Sequence, residues 1–382
     1  MTYFDNGATT FPKPQVVLEA IENSMHNYAA NPGRSGHALA LRMDREIYHT
    51  RSKLTEFVGG TNEMHTIFTY NCTESLNMAI KGVAKKGMHA ITTTMEHNSV
   101  LRPLNKLAQD GIIDLTIVKA NDEGLIDPED IINEIRDNTG LVVTTHMSNL
   151  VGTIVDVEKI GHMIKKVNED IIYIVDGAQS LGVLPLDVEK MKIDIVCYPG
   201  HKGLFGPMGT GGLYLREGLD LRTIIEGGTG SFSSDPNQPS IYPDALESGT
   251  PNGPGIIGLG AGVDFIVEEG REKIHDHEID LKNAFVDGLK GLDQVKIYGP
   301  LDERQGAVIA LNVRGMDSSE VAYILDQDYE ICTRPGLHCA PLAHQTLGTT
   351  DSGAVRFSFG YFNTMDEVDK AVEAIKAIAK GR

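Results

Sequence analysis

Apolar positions recur along this chain first at helical spacing, then in short runs with β-rich composition, then at helical spacing again. After Pro12 and Pro14, the positions Val16, Val17, Ala20, Ile21 and Met25 predict a first helix. A second helical stretch covers roughly residues 38 to 58, beyond the loop Asn31-Pro32-Gly33-Arg34-Ser35-Gly36-His37. From there the pattern shifts to the runs His65–Tyr70, His89–Thr94, Leu115–Val118, Leu141–His146, Ile171–Val175 and Ile193–Tyr198. Helical windows at about 74–85, 97–109, 127–136 and 156–168 lie between them. Strands alternating with helices of this length predict parallel strands joined by helical crossovers, an α/β layer structure.

A Gly/Pro/Ser-rich passage from Gly227 through Pro254 interrupts this alternation. It is too long for a simple connector and is expected to be functional or packed on a partner. A single long helical window (256–290) follows, then strands near 294–298 and 306–312, a helix near 317–327, a strand at 354–359 and a last helix at 364–380. The expected division is a large α/β domain over residues 15–255 and a smaller α+β domain from 1–14 and 256–382.

The chain has 382 residues and a formal charge of −19, from 34 basic and 53 acidic side chains. That balance repels phosphate backbones and anionic lipids, so nucleic acid and membrane are not expected partners. The N-terminal MTYFDNGATT lacks the basic-then-apolar order of a secretory signal, and no apolar run approaches a bilayer-spanning length. Cys72, Cys197, Cys332 and Cys339 are sparse and unpatterned, which predicts free thiols in a reducing cytoplasm and no metal site.

Two places carry candidate chemistry. Asp176 closes an apolar strand, where ligands of parallel sheets sit, although an aspartate there also serves as a helix cap. Lys202 follows the next strand within Pro199-Gly200-His201-Lys202-Gly203-Leu204-Phe205-Gly206, where glycines let the backbone approach a ligand closely. The nucleotide patterns GxxxxGK[ST] and GxGxxG are absent, the latter replaced after the first strand by Asn71-Cys72-Thr73-Glu74-Ser75. Asn71 and Thr73 suit a helix N-terminus, which also binds phosphate.

Together with Tyr3-Phe4-Asp5-Asn6-Gly7-Ala8-Thr9-Thr10, Glu96-His97-Asn98, Ser148-Asn149-Leu150-Val151-Gly152-Thr153, Asp176-Gly177-Ala178-Gln179, Ser248-Gly249-Thr250-Pro251-Asn252 and Arg356, these residues give nearly the whole chain a resemblance. It resembles the class V aminotransferase family of fold-type I pyridoxal-phosphate (PLP) enzymes. Within that family it looks like the SUF-type (group II) cysteine desulfurases. The resemblance implies a large domain with a central, mostly parallel sheet flanked by helices, plus a smaller α+β C-terminal domain. It implies that Lys202 holds PLP as a Schiff base, that Asp176 pairs with the pyridine nitrogen and that Gln179 bonds the phenolic oxygen. By the same resemblance His97 stacks on the ring, while Cys72, Thr73 and His201 cradle the phosphate. Thr250 then reaches that phosphate from the other subunit of a homodimer, and Asn149 and Arg356 grip the substrate carboxylate.

The segment Thr333-Arg334-Pro335-Gly336-Leu337-His338-Cys339-Ala340-Pro341 is similar to the RxGxHCA signature of those desulfurases. This implies that Cys339 takes sulfur from L-cysteine or L-selenocysteine as a persulfide and passes it to an acceptor protein. A thiolate is required, and Arg334, His338 and His344 are the nearby candidates to favour it. Pro335, Leu337, Gly7 and the Gly203-Leu204-Phe205 segment depart from the family pattern, but none touches PLP anchoring. The alternatives are another class V activity (selenocysteine lyase, aminotransferase or epimerase) and, more remotely, a non-catalytic scaffold.

Overall fold

A computed structural model describes residues 1–33 and 36–381; Arg34 and Ser35 of the glycine-flanked loop lie outside the described residues. The chain opens with β1 (Thr2–Tyr3), α1 (Gln15–Asn27) and α2 (Ala38–Phe57). It continues β2 (Thr66–Thr69), α3 (Cys72–Val83), β3 (Met88–Thr93), α4 (Asn98–Gln109), β4 (Ile113–Val118) and α5 (Pro128–Asn133). Then come β5 (Thr139–Thr145), α6 (Val157–Val167), β6 (Ile172–Asp176), β7 (Ile195–Pro199) and β8 (Gly211–Leu215). The last part runs α7 (Gly253–Glu269), α8 (Arg271–Leu289), β9 (Val295–Tyr298), β10 (Val308–Val313), α9 (Ser318–Tyr329), β11 (Ile331–Cys332), α10 (Pro341–Leu347), β12 (Val355–Ser358) and α11 (Met365–Ala379).

Seven strands form one sheet in the order β2-β8-β7-β6-β5-β3-β4, parallel except at β8, which runs against both neighbours. The central strands read as unbroken apolar runs because both of their faces are covered. Tyr173, Val175, Val196 and Tyr198 point into one core, and Ile174, Ile195 and Cys197 into the other. The fold is thus α/β with a central, mostly parallel sheet flanked by helices. A second sheet, β12-β10-β9, is antiparallel and shares its core with α8, α9 and α11.

Two sequence expectations need correction. The 256–290 window is two helices, because Gly270 at φ +88 caps α7 and restarts the chain as α8. Strand β8 was not expected, since its glycines read as loop. They are required by crowding: a Cβ on Gly211 would meet the Asn71 backbone at 2.9 Å, and one on Gly212 the Tyr198 hydroxyl at 2.8 Å. Because α7 packs on α1 and α2, we propose that the division between units falls at Gly270 rather than after residue 255.

The N-terminal tail ties the two units together. Strand β1 pairs parallel with β11, and Asp5 bridges to Ser358 of β12. A few residues on, Thr9 and Thr10 donate to the His201 carbonyl in the large unit. The Gly227–Pro254 passage carries neither helix nor strand up to Asn252, and its last two residues open α7. Among the described residues no helix is long and apolar enough to cross a membrane.

Candidate active site

Parallel strands deliver their carboxyl ends to one edge of the sheet, and here β5, β6 and β7 end in Thr145, Asp176 and Pro199. Asp176 is buried, and no helix follows it, so it is not a helix cap. Its Oδ1 accepts the Ala178 N–H at 2.9 Å and the Cys72 thiol at 3.6 Å. Burial raises its pKa, against the opposing pull of the Ala178 N–H and Lys202. A carboxylate so placed is stabilised by a cation brought to it.

Lys202 stands three residues beyond β7. Burial, and then the Arg356 guanidinium, lower its pKa to about 8, while Asp176 and Cys72 oppose the shift. His201 is lowered to about 4 by burial, then by Lys202 and Lys13, and its Nδ1 is buried without a hydrogen-bond partner among the described residues. Lys13, which the sequence did not single out, donates to the His201 carbonyl and to Thr10 Oγ1, both at 2.7 Å. Burial lowers Lys13 to about 8. Its only sequence signal is its place between Pro12 and Pro14.

Helices α3 and α4 bring their N-termini together beside these groups. Thr73 Oγ1 lies 2.7 Å from Ser99 Oγ, which is itself 2.9 Å from His97 Nδ1. His97 caps α4 through the Ser99 N–H, and burial followed by the charges of Lys202, Arg334, Arg102 and Arg356 holds it near pKa 4, hence neutral. Asn71 caps α3 through Glu74 N–H. The Cys72 side chain departs from the cradle expected of it: its thiol is spent on Asp176 and is buried, so only its backbone N–H remains for an anion. Gln179 Nε2 donates to the Gly7 carbonyl at 2.9 Å, which uses one of its two amide hydrogens.

Arg356, in β12, is 1% exposed, so it is not a surface ion pair. Its Nη1 donates to the Asn149 carbonyl at 2.9 Å and its Nη2 to Asp5 Oδ1 at 2.6 Å; Nε has no partner among the described residues. Asp5 is a second residue the sequence reading left without a role. Asn149 Nδ2 donates to the His338 carbonyl, and Asn98 N–H to the Cys339 carbonyl, both at 2.7 Å. These two bonds dock the cysteine loop beside His97. Cys339 itself is exposed, with Arg334 Nη2 4.0 Å from its sulfur.

The other two thiolate candidates must be withdrawn. Burial, then Arg356, pushes His338 down to about 3, and burial lowers His344 as well, so both rings are neutral. His338 bonds the Arg334 carbonyl and His344 rather than the sulfur. Thr250 is exposed, its carbonyl accepting from Tyr70 Oη at 3.0 Å. Among the described residues no group of three or more His, Cys, Asp or Glu is gathered to hold a metal ion.

The donor set suits PLP. A buried carboxylate awaits a cationic ring nitrogen, a half-buried lysine near pKa 8 awaits an aldehyde, and His201 with two helix N-termini awaits a phosphate. The unpartnered Nε of Arg356 is left for a carboxylate.

Residues 2–371 match the family described as Aminotransferase class-V. A probable cysteine desulfurase of Methanothermobacter thermautotrophicus is 34% identical over 99% of this chain and 94% of its own length. One from Pyrococcus abyssi is 36% identical over 99% and 94%. The apo structure of a cysteine desulfurase from Thermococcus onnurineus NA1 superposes with a TM-score of 0.93 at 35% identity, covering 100% of this chain and 95% of that one. The chain therefore belongs to the class V aminotransferases, a PLP-dependent family.

Proposed function

We propose that this protein is a PLP-dependent cysteine desulfurase that converts L-cysteine to L-alanine and leaves the sulfur as a persulfide on Cys339. The observation that carries the reading is the exposed Cys339 thiol, docked by Asn98 and Asn149 onto the group containing His97, Lys202 and Arg356. The desulfurase names of the relatives at 34–36% identity support it.

Bound PLP supplies an electron sink that lets the substrate Cα release its proton. Asn149 and Arg356 orient the substrate carboxylate, with Asp5 balancing the arginine's buried charge. Lys202, lowered to about 8, is roughly a tenth neutral amine at pH 7, a far larger fraction than an ordinary lysine has, and can take the Cα proton. Cys339, as thiolate beside Arg334, attacks the substrate sulfur. An S–S bond forms, the Cβ–S bond breaks with its electron pair left on carbon, that carbon takes up a proton to become the methyl group, and Lys202 returns its proton to Cα to complete alanine.

In this reading the persulfide passes to an acceptor protein in the cytoplasm, where the four free thiols stay reduced. The enzyme works as a homodimer, in which Thr250 of each chain serves the phosphate of the other.

The test is alanine and sulfide release from L-cysteine under reductant, by the yellow protein and by Cys339→Ala. Matching amounts from the wild type, lost in the variant, support the reading. No alanine from L-cysteine, with a cofactor absorbance that shifts on adding another amino acid, sinks the desulfurase assignment and leaves another class V activity.

A further inference from the structure

The mechanism above makes no use of His344. His338 Nε2 lies 2.8 Å from the Arg334 carbonyl, and its Nδ1 lies 3.3 Å from His344 Nε2. His344, fully buried, meets Thr349 Oγ1 through Nδ1 at 2.7 Å. A carbonyl only accepts, so His338 carries its proton on Nε2 and offers Nδ1 as an acceptor. The contact between the rings is then a bond when His344 Nε2 donates. His344 Nδ1 then accepts the Thr349 hydroxyl at 2.7 Å, a much shorter contact than the 3.4 Å from the same hydroxyl to the His344 carbonyl. Burial keeps both rings neutral, outweighing the Arg334 carbonyl at His338 and the Thr349 backbone at His344, which favour protonation.

The chain of bonds ends on an unusual backbone. His338 at φ +49 and Cys339 at φ +56 are consecutive left-handed residues, after Gly336 at φ +96. Non-glycine residues hold that conformation only under external constraint. Asn149 constrains the His338 carbonyl and Asn98 the Cys339 carbonyl, and the His338 ring is the third anchor.

We propose that His344, braced by Thr349, is a positioning residue for Cys339: through His338 it holds the 336–339 turn in the left-handed form that leaves the thiol exposed beside Arg334. This rests on Cys339 being the sulfur acceptor.

Glutamine can donate at one end and accept at the other, whereas leucine can do neither. The experiment compares PLP-loaded wild type, His344→Gln, His344→Leu and Thr349→Val by kcat and KM for alanine formation and by hydrogen–deuterium exchange of the 334–340 segment. Leaving the His338 Nδ1 acceptor and the Thr349 hydroxyl unmatched should make His344→Leu about tenfold lower in kcat, with KM within about twofold and faster exchange. His344→Gln should stay within about threefold of wild type on every reading. A leucine variant with unchanged kcat and exchange, or a glutamine variant as impaired as leucine, overturns the proposal. If the leucine variant does not fold, Thr349→Val removes only one hydroxyl; faster exchange supports the relay and unchanged exchange overturns it. If Cys339→Ala still forms alanine, the assignment of Cys339 as sulfur acceptor fails by itself, and exchange still decides whether His344 holds the turn.

Discussion

At Lys202, burial and the Arg356 guanidinium push the ammonium down, and Asp176 and Cys72 only partly restore it. Neutral amine attacks an aldehyde, and a lysine lowered from 10.5 to about 8 is mostly neutral above pH 8. PLP uptake by the apoprotein, followed by the growth of its bound absorbance, should therefore accelerate up to about pH 8 and then level off. An unperturbed lysine would keep accelerating for about two further pH units. Arg356→Gln removes the second-largest cause of the shift, so the plateau should begin at higher pH; an unmoved plateau would refute this account of Lys202. The lysine was legible in the sequence because it sits among glycines after an apolar strand. The direction of the Cys72 thiol was not, since no local pattern reveals which of several buried groups a side chain will meet.

Elements with a strong period were legible, and those set by crowding were not. The runs that became β5, β6 and β7 could be read because both faces are apolar. β8 escaped because Gly211 and Gly212 are there to clear Asn71 and Tyr198, atoms distant in sequence. For the same reason the N-terminal motif announced itself without disclosing its task. In three dimensions its Asp5 meets Arg356, the Gly7 carbonyl meets Gln179, and Thr9, Thr10 and Lys13 hold the His201 carbonyl. The cysteine loop is an element of the opposite kind, short and shaped by backbone sign. Gly336 at φ +96 has open space where a Cβ would go, so Gly336→Ala brings strain without a clash. The expected cost is about 1 kcal/mol of unfolding free energy, read from denaturant melts, with kcat falling more than KM rises. Unaltered stability together with unaltered kcat would show that the turn does not depend on that glycine.

At the scale of the whole molecule, one chain leaves large apolar side chains open to solvent. Phe11, Met25, Met208, Phe232 and Ile241 are each more than half exposed, and the last two belong to the passage that carries Thr250. Apolar exposure of this kind fits a homodimer, and in the proposed dimer Thr250 acts on the opposite active site. Complementation tests that arrangement directly. Lys202→Ala and Thr250→Ala are each expected to retain PLP poorly, the first for lack of its lysine and the second for lack of a phosphate contact. In a mixed dimer, the Thr250→Ala chain keeps Lys202, and its partner keeps the threonine that serves it. One of the two sites is then complete. Random pairing makes half the dimers mixed, so co-expression should restore about a quarter of the wild-type PLP content and alanine formation. If Thr250 serves its own chain, every site in the mixture lacks either lysine or threonine. Activity no higher than that of the separate variants would then overturn the cross-subunit assignment while leaving Lys202 and Cys339 in their roles.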